Sequence, residues 1–305
     1  MEAGTATLRP AARGSAPSRA WKWVREHALN FYAVLAIGYM LVPIGLIAVF
    51  SFNDPAGKFN FTWVGFTFEH WGNAFGISQL NDALVVSLEL AALATLISTV
   101  IGTLMAIALV RHEFFGRRSA NFLIVIPMAT PEVVMGAALL SLFLIYGAPP
   151  LGFATLLIAH VMFSISFVVV VVRSRLIGFD RSLEEAARDL GAGSFETFRL
   201  ITLPLIMPAI VGGALLAFAL SIDDFVISNF NAGTTVTFPL YIYGAAQRSI
   251  PVEVYVIATM LFLATVGAMI FTVLQQRRAE RLAAVRPDEP EGPLAVAPVA
   301  GAARG

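Results

Sequence analysis

SLEEAARDLGAGSFETFRLITLP occupies residues 182–204 and lies between two long apolar stretches. Ser182 stands where a helix begins, and Glu185, three residues on, is placed to reach back to the capping residue's amide in a capping box. Gly191 ends that helix, because glycine tolerates the left-handed conformation that closes a helix and turns the chain sharply. Ser194 starts a second short helix through Phe198, leading into an apolar span whose first turns carry Pro204 and Pro208. The pattern predicts a helix, a tight turn and a helix presented at a membrane face, a rigid knob able to carry force from an outside protein into a bundle. Capping alone accounts equally for a solvated loop between helices.

Composition places this loop in a membrane protein. The residues AVILMFWYC make up 58% of the chain. Exchanging Tyr for Gly in that set raises the share to about 64%, against roughly 45 to 50% in soluble domains. Charged residues are 13%, and 20 basic against 20 acidic residues leave no net charge to attract nucleic acid. With no cysteine in the chain, disulfides, Cys-ligated zinc, iron–sulfur clusters and thiol catalysis are excluded.

Six apolar segments reach the roughly 20 helical residues that a bilayer core requires: 31–52, 83–110, 122–146, 153–172, 201–222 and 254–274. The expected fold class is therefore an all-α integral membrane protein. The first segment begins too far in, runs too long and lacks the small-residue pattern of a cleavable signal peptide. The third contains Pro127 and Pro131 and is expected to kink, since proline in a span is tolerated where neighbouring helices or a cavity satisfy the freed carbonyls.

Eighteen of the 20 basic residues fall in the segment before the first span, the second-to-third and fourth-to-fifth connections, or the segment after the sixth span. Only Lys58 and Arg248 fall in the other connections. The positive-inside rule then puts both termini and residues 182–204 in the cytoplasm. Residues 1–29 and 276–305 read as cytoplasmic tails, largely disordered because they are rich in Ala, Pro, Gly and Arg with little to pack. Residues 30–275 form the membrane domain.

No lysine follows a G-x-x-x-x-G run, so the chain has no P-loop, and ATP has to be hydrolysed elsewhere. His112-Glu113 begins like a zinc-protease motif, but Gly116 stands where its second histidine belongs. Asn60-Phe61-Thr62 has the form of a glycosylation acceptor, a match too short to carry weight. No catalytic residue and no metal site is assigned.

A charge at the centre of a membrane helix costs about 2.5 to 3.5 kcal/mol on insertion scales and persists where it has a role. Glu89 lies toward the outer end of the second span, Glu132 mid-span beside Pro131, and Asp223-Asp224 at the outer end of the fifth. Glu132 suits bridging helices or holding the kink as well as it suits contact with a substrate, and His160 suits an interhelical hydrogen bond. Asp223 and Asp224 make sense beside a cationic cargo. Consecutive helical residues point about 100° apart, so the two do not face a pathway equally; Asp223 is expected to lie deeper and Asp224 to cap or anchor the outer loop.

Glu185, Ala186, Ala187 and Gly191, with Ile201, Leu203 and Pro204, resemble the EAA loop of ABC-importer permeases. Ser221-Ile222-Asp223-Asp224-Phe225-Val226-Ile227, followed by Phe238-Pro239-Leu240-Tyr241-Ile242-Tyr243, resembles the fifth-span exit in spermidine/putrescine importers, as does Ser51-Phe52-Asn53-Asp54 after the first span. The similarity covers roughly residues 30–275. It implies a type I (MetI-like) permease fold in a bacterial plasma membrane, in contact with membrane lipid. It implies Glu185, Ala186, Ala187 and Gly191 as the coupling residues; Asp223, Asp224, Glu132 and Glu89, as charges in or at the ends of spans, are the candidates for the substrate pathway. The implied partners are a homologous second permease, two cytoplasmic ABC ATPase subunits that use ATP and Mg, and an extracytoplasmic solute-binding protein. No cofactor is expected on this chain and no nucleic acid among its partners. The implied activity is polyamine import by alternating access. Import of another small organic solute, or proton-coupled secondary transport through Glu89 or Glu132, are the alternatives.

Overall fold

The computed structural model describes residues 19–57, 59–147, 149–178 and 180–285. Residues 1–18 and 286–305, which hold most of the two expected disordered tails, lie outside the described residues, as does Lys58. The described residues are helical throughout their ordered elements: α1 (Arg19–Phe50), α2 (Glu69–Gly72), α3 (Ser78–Arg111), α4 (Arg117–Ala129), α5 (Glu132–Tyr146), α6 (Phe153–Ile177), α7 (Ser182–Asp189), α8 (Ser194–Thr197), α9 (Leu203–Ile222), α10 (Val226–Asn231), α11 (Phe238–Ala246) and α12 (Val252–Val285). A π-helical turn, Phe198–Thr202, joins α8 to α9. The chain divides into two compact units, residues 53–254 and residues 1–52 with 255–305.

Four helical stretches are long and apolar enough to cross a membrane: His27–Phe50, Ser78–Arg111, Phe153–Ile177 and Ser194–Ile222. The expected third span is not one kinked helix. It is broken at Thr130-Pro131 into α4 and α5, which meet at 112° and make a fifth crossing only if the pair is taken together. Pro131 has no amide to continue the ladder and its ring excludes the helical conformation at Thr130. Thr130 occupies the extended region and donates its own amide and hydroxyl to Ile126 O, at 2.9 and 2.7 Å. The sixth expected span falls in α12, which is helical from Val252 to Val285 and so contains the whole apolar segment 254–274.

Helices also run past the apolar segments that predicted them. α1 starts at Arg19 and α12 continues to Val285, so 19–29 and 276–285, assigned by composition to disordered tails, are helical. Arg, Lys, Glu, Gln and Ala are good helix formers, and nothing in WKWVREHA or QQRRAERLAA stops the helix. α6 likewise extends through Arg173 and Arg175, which the charge pattern places in a loop. Basic residues in a last turn complement the helix dipole there.

In the unit of residues 53–254, α6 packs against α3, α4, α5, α9 and α10. α3 presents to it a face of small residues, among them Ser87, Ala91, Ala94, Ser98, Gly102 and Ala106, all buried. Such residues let membrane helices approach closely without a hydrophobic driving force between them. At Gly102 an added Cβ would sit 2.8 Å from the Val168 side chain. Val168, Val169, Val172 and Leu176 of α6 join Ala106, Leu109, Ile124, Ile206 and Ala217 in one cluster. Phe163 and Ala159 join Met135, Leu139, Phe143 and Ile227 in a second. After α1, Asn53 is buried, donates to Asn60 Oδ1 at 2.6 Å and accepts from the Val64 amide at 2.8 Å. Asn60 is thus a buried loop-organising residue.

Candidate functional site

The 182–204 segment forms the predicted helix, turn and helix, with different capping. Ser182 and Glu185 make no capping box. Asp180 Oδ1 accepts the Ser182 amide at 3.0 Å, and this bond holds the exposed Asp180 carboxyl below the usual carboxylate range. An aspartate two residues ahead reaches the free amide directly, which leaves Glu185 exposed. At the other end Gly191 has φ +91°. Ala192 donates to Ala187 O at 3.0 Å and Gly191 to Arg188 O at 2.9 Å, the two bonds of a Schellman closure. The reach-back expected of Glu185 occurs instead in the second helix, where Glu196 Oε2 accepts the Gly193 amide at 3.0 Å.

Glu184, which no sequence motif singles out, fixes this segment to the bundle. Its Oε1 accepts from Arg111 Nη2 at 2.7 Å and from the Thr202 hydroxyl. It therefore joins the end of α3, the start of α7 and the π turn that leads into α9. The side chains of Arg111 and Glu184 are 14% and 12% exposed, so this is a largely desolvated pair. The adjacent glutamates offered only a weak signal: residues 100° apart on a short amphipathic helix do not share one orientation. Around the pair lies a cavity of about 330 Å³ whose lining includes Arg111, His112, Arg181, Glu184, Arg188 and Phe198. On the outer side Glu185 and Ala186 are exposed and Ala187 is half-buried. Leu183, Leu190, Phe195 and Leu200 are 50%, 90%, 73% and 67% exposed, an apolar surface that no part of this chain covers among the described residues.

At the far end of α9, about 30 Å away for 20 helical residues, Asp223 and Asp224 part company. Asp223 closes α9 and is exposed, whereas Asp224 is buried. This reverses the expectation that Asp223 lies deeper. The chain turns after Ile222, and Asp224 folds back so that its carboxylate accepts the amides of Ser228 at 2.8 Å and Ile227 at 3.3 Å, starting α10. Its Oδ2 is 3.5 Å from His160 Nε2. His160 Nδ1 lies 2.8 Å from Ser221 Oγ, and Nε2 lies 3.1 Å from Ser228 Oγ. The buried His160 is thus the interhelical partner expected of it, tying α6 to α9 and α10. Nearby, Asn231 Nδ2 donates to Gly136 O of α5 at 3.3 Å, and Thr155 Oγ1 donates to Asn231 O at 2.7 Å.

Glu132 is the exposed first residue of α5, directly after the break, where the helix dipole favours an anion. α5 packs on α10, the helix that follows Asp223 at the end of α9. Glu89 is exposed on α3. No described hydrogen bond or ion pair joins any two of the four carboxylates. The geometry can thus present carboxylates on the bundle's surface at one end of α9 and an anchored, apolar-faced knob at the other.

Residues 98–281 match the family described as the binding-protein-dependent transport system inner membrane component. The chain is 39% identical over 240 residues to the spermidine/putrescine transport system permease protein PotC of Escherichia coli K12, covering 78% of this chain and 90% of that protein. It is 35% identical over 250 residues to PotC of Haemophilus influenzae, covering 82% and 96%. With the putrescine transport system permease protein PotI of E. coli K12 it shares 37% identity over 245 residues, covering 78% and 86%. Among solved structures, a chain of a bacterial ABC transporter involved in import of the acidic polysaccharide alginate superposes with a TM-score of 0.60 at 19% identity, over 87% of this chain and 99% of that one. A chain of an amino acid ABC transporter superposes with a TM-score of 0.52 at 20% identity, over 70% and 100%.

Proposed function

From the premise that this chain belongs to the family of binding-protein-dependent inner-membrane permeases of ABC importers, we propose that it carries spermidine or putrescine inward between itself and a second, homologous permease. The family supplies the membrane component of such importers, with ATP hydrolysis in separate subunits, so the proton-coupled alternative falls away. The observation that carries the choice of cargo is the 35–39% identity to PotC and PotI over most of their lengths.

In this reading one of two cytoplasmic ATPases docks on the knob of residues 182–204, with the exposed Glu185, Ala186 and Gly191 turn and the apolar side chains around them seated in a groove of that ATPase. Closure of the ATP-bound dimer pulls on this knob. The pull passes through Glu184 to α3 and along the continuous 194–222 helix to the far end of α9, where the docked solute-binding protein releases its cargo. The distribution of basic residues supports a cytoplasmic position for both termini and the knob. Helix-to-helix continuity makes the coupling stiff, since the π turn adds no break between α8 and α9.

Asp223 is the pathway carboxylate, with Glu132 on α5 and Glu89 on α3 as further candidates. A cation leaving its receptor sheds water, and at about 4 Å with an effective dielectric of about 20 one carboxylate returns about 4 kcal/mol before its own desolvation is subtracted. Asp224 serves another purpose, because its carboxylate is already saturated by amide donors and builds the turn. Asp223→Asn is expected to slow initial polyamine uptake about tenfold, equivalent to a net 1.4 kcal/mol, with normal amounts of assembled complex. Asp224→Asn is expected to reduce the amount of folded complex instead. Initial rates of labelled putrescine uptake, normalised to assembled complex, separate the two. Unchanged rates in Asp223→Asn would remove this residue from the pathway.

A further inference from the structure

At the same end of the bundle as the knob, and sharing Arg181 with the cavity around Glu184, a cavity of about 280 Å³ is lined by Arg117, Arg173 and Arg181, with Val110, Leu176 and Ile177 among its apolar walls. Its basic groups come from the start of α4, the end of α6 and the turn before α7. We propose that this cavity binds a phosphate group, supplied by the headgroup of an anionic lipid in the inner leaflet. The leaflet assignment rests on the cytoplasmic placement of this end given above.

Two features make the cavity a built site. The first is that the guanidinium groups are held by neutral partners. Arg173 Nη1 donates to Asn121 Oδ1 at 2.6 Å, Asn121 Nδ2 donates to Arg117 O at 3.0 Å, and Arg117 Nε donates to Leu109 O at 3.0 Å. Asn121 thereby links the two arginine-bearing helices and orients them. Each guanidinium has five N–H groups, and one spent on a neutral oxygen leaves a fork for a planar or tetrahedral anion.

The second feature is missing countercharge. Among the described residues no Asp or Glu lines the cavity. Glu113 lies 3.8 Å from Arg117 Nη1 with its side chain 95% exposed, a pair of little strength, and Glu184 and Glu185 line the neighbouring cavity that shares Arg181. Half-buried Arg117 and Arg173 brought together with Arg181 repel one another until an anion joins them. A lipid is favoured over a free anion because the apolar wall continues onto exposed Ile177, 65% accessible at the end of a spanning helix, where acyl chains begin. Basic pockets between helices at a cytoplasmic face have the chemistry that anionic headgroups seek.

The test uses the assembled complex, ATPases included, in nanodiscs of phosphatidylcholine with or without phosphatidylglycerol. Native mass spectrometry is expected to retain roughly one phosphatidylglycerol per copy of this chain, and phosphatidylglycerol is expected to raise the thermal midpoint. Both effects should disappear in Arg117→Gln and in Arg173→Gln and persist in Arg118→Gln, which removes a neighbouring charge outside the lining. Equal loss in Arg118→Gln would mean diffuse surface attraction and overturn the site. Stabilisation of phosphatidylcholine discs by millimolar inorganic phosphate alone would overturn the lipid as its occupant. Indifference to phosphatidylglycerol in the wild-type complex, as when a carboxylate of the ATPase fills the cavity, would overturn both. Because the readout is lipid retention, failure here leaves polyamine transport untouched, and loss of uptake leaves this site untouched.

Discussion

Replacing Gly191 with valine is expected to abolish polyamine uptake and receptor-stimulated ATP hydrolysis while the protein still inserts in the membrane. The native φ of +91° belongs to a region that β-branched residues adopt only under strain of about 1 to 3 kcal/mol. No atom lies within 4 Å of an added Cβ at this position, so the cost is in the backbone and not in packing. The Schellman closure that aims Ser194 and Phe195 away from α7 would have to open, moving the knob relative to its anchor. Gly191→Asn, which tolerates the left-handed region, should retain much of the activity. Uptake and stimulated hydrolysis both intact in Gly191→Val would show that the turn does not transmit force.

Glu184→Gln is expected to be nearly as damaging by another route. It leaves Arg111 charged in a largely buried position without its carboxylate, a loss of order 3 kcal/mol for a pair of this burial, and weakens the tether between α3, α7 and the π turn. The complex should melt at a lower temperature and transport poorly. Arg111→Gln in the same chain should recover part of the stability, because the largely buried charge that has lost the Glu184 carboxylate is then gone. Glu185→Ala, at an exposed position, should leave the melting temperature near wild type and affect transport alone. Thermal unfolding of the three variants and the wild type, with uptake on the same samples, gives the comparison. Equal stability of Glu184→Gln and Glu185→Ala would assign no anchoring role to Glu184.

The residues that could be read from sequence are those whose behaviour is local. Apolar length located most of the crossings, and glycine after a capped helix located the turn at Gly191, because helix length and φ preference depend on near neighbours. Asp224 is different: its burial depends on His160, 64 positions earlier, and on a turn after Ile222 that brings its carboxylate to the amides of α10. Glu184 and Glu185 are equivalent in composition, and only the arrival of Arg111, 73 residues distant, decides which one faces the bundle. The break at Pro131 was visible as a proline but not as a 112° turn, since the angle is set by what α5 packs against, including Ile227 of α10. In the same way the helical continuity from Ser194 to Ile222 conceals itself in sequence behind Pro204, which follows directly on the π turn, where the Leu203 amide still bonds Phe198 O.

The most direct measurement is uptake of labelled putrescine and spermidine into proteoliposomes holding this chain with its second permease and ATPases, ATP enclosed and the solute-binding protein outside. Accumulation that requires both ATP and the binding protein, and that unlabelled polyamine suppresses while neutral or anionic solutes do not, is the predicted result. ATP- and binding-protein-dependent uptake of a neutral or anionic solute in place of polyamine, or polyamine uptake driven by a proton gradient without ATP, would contradict it.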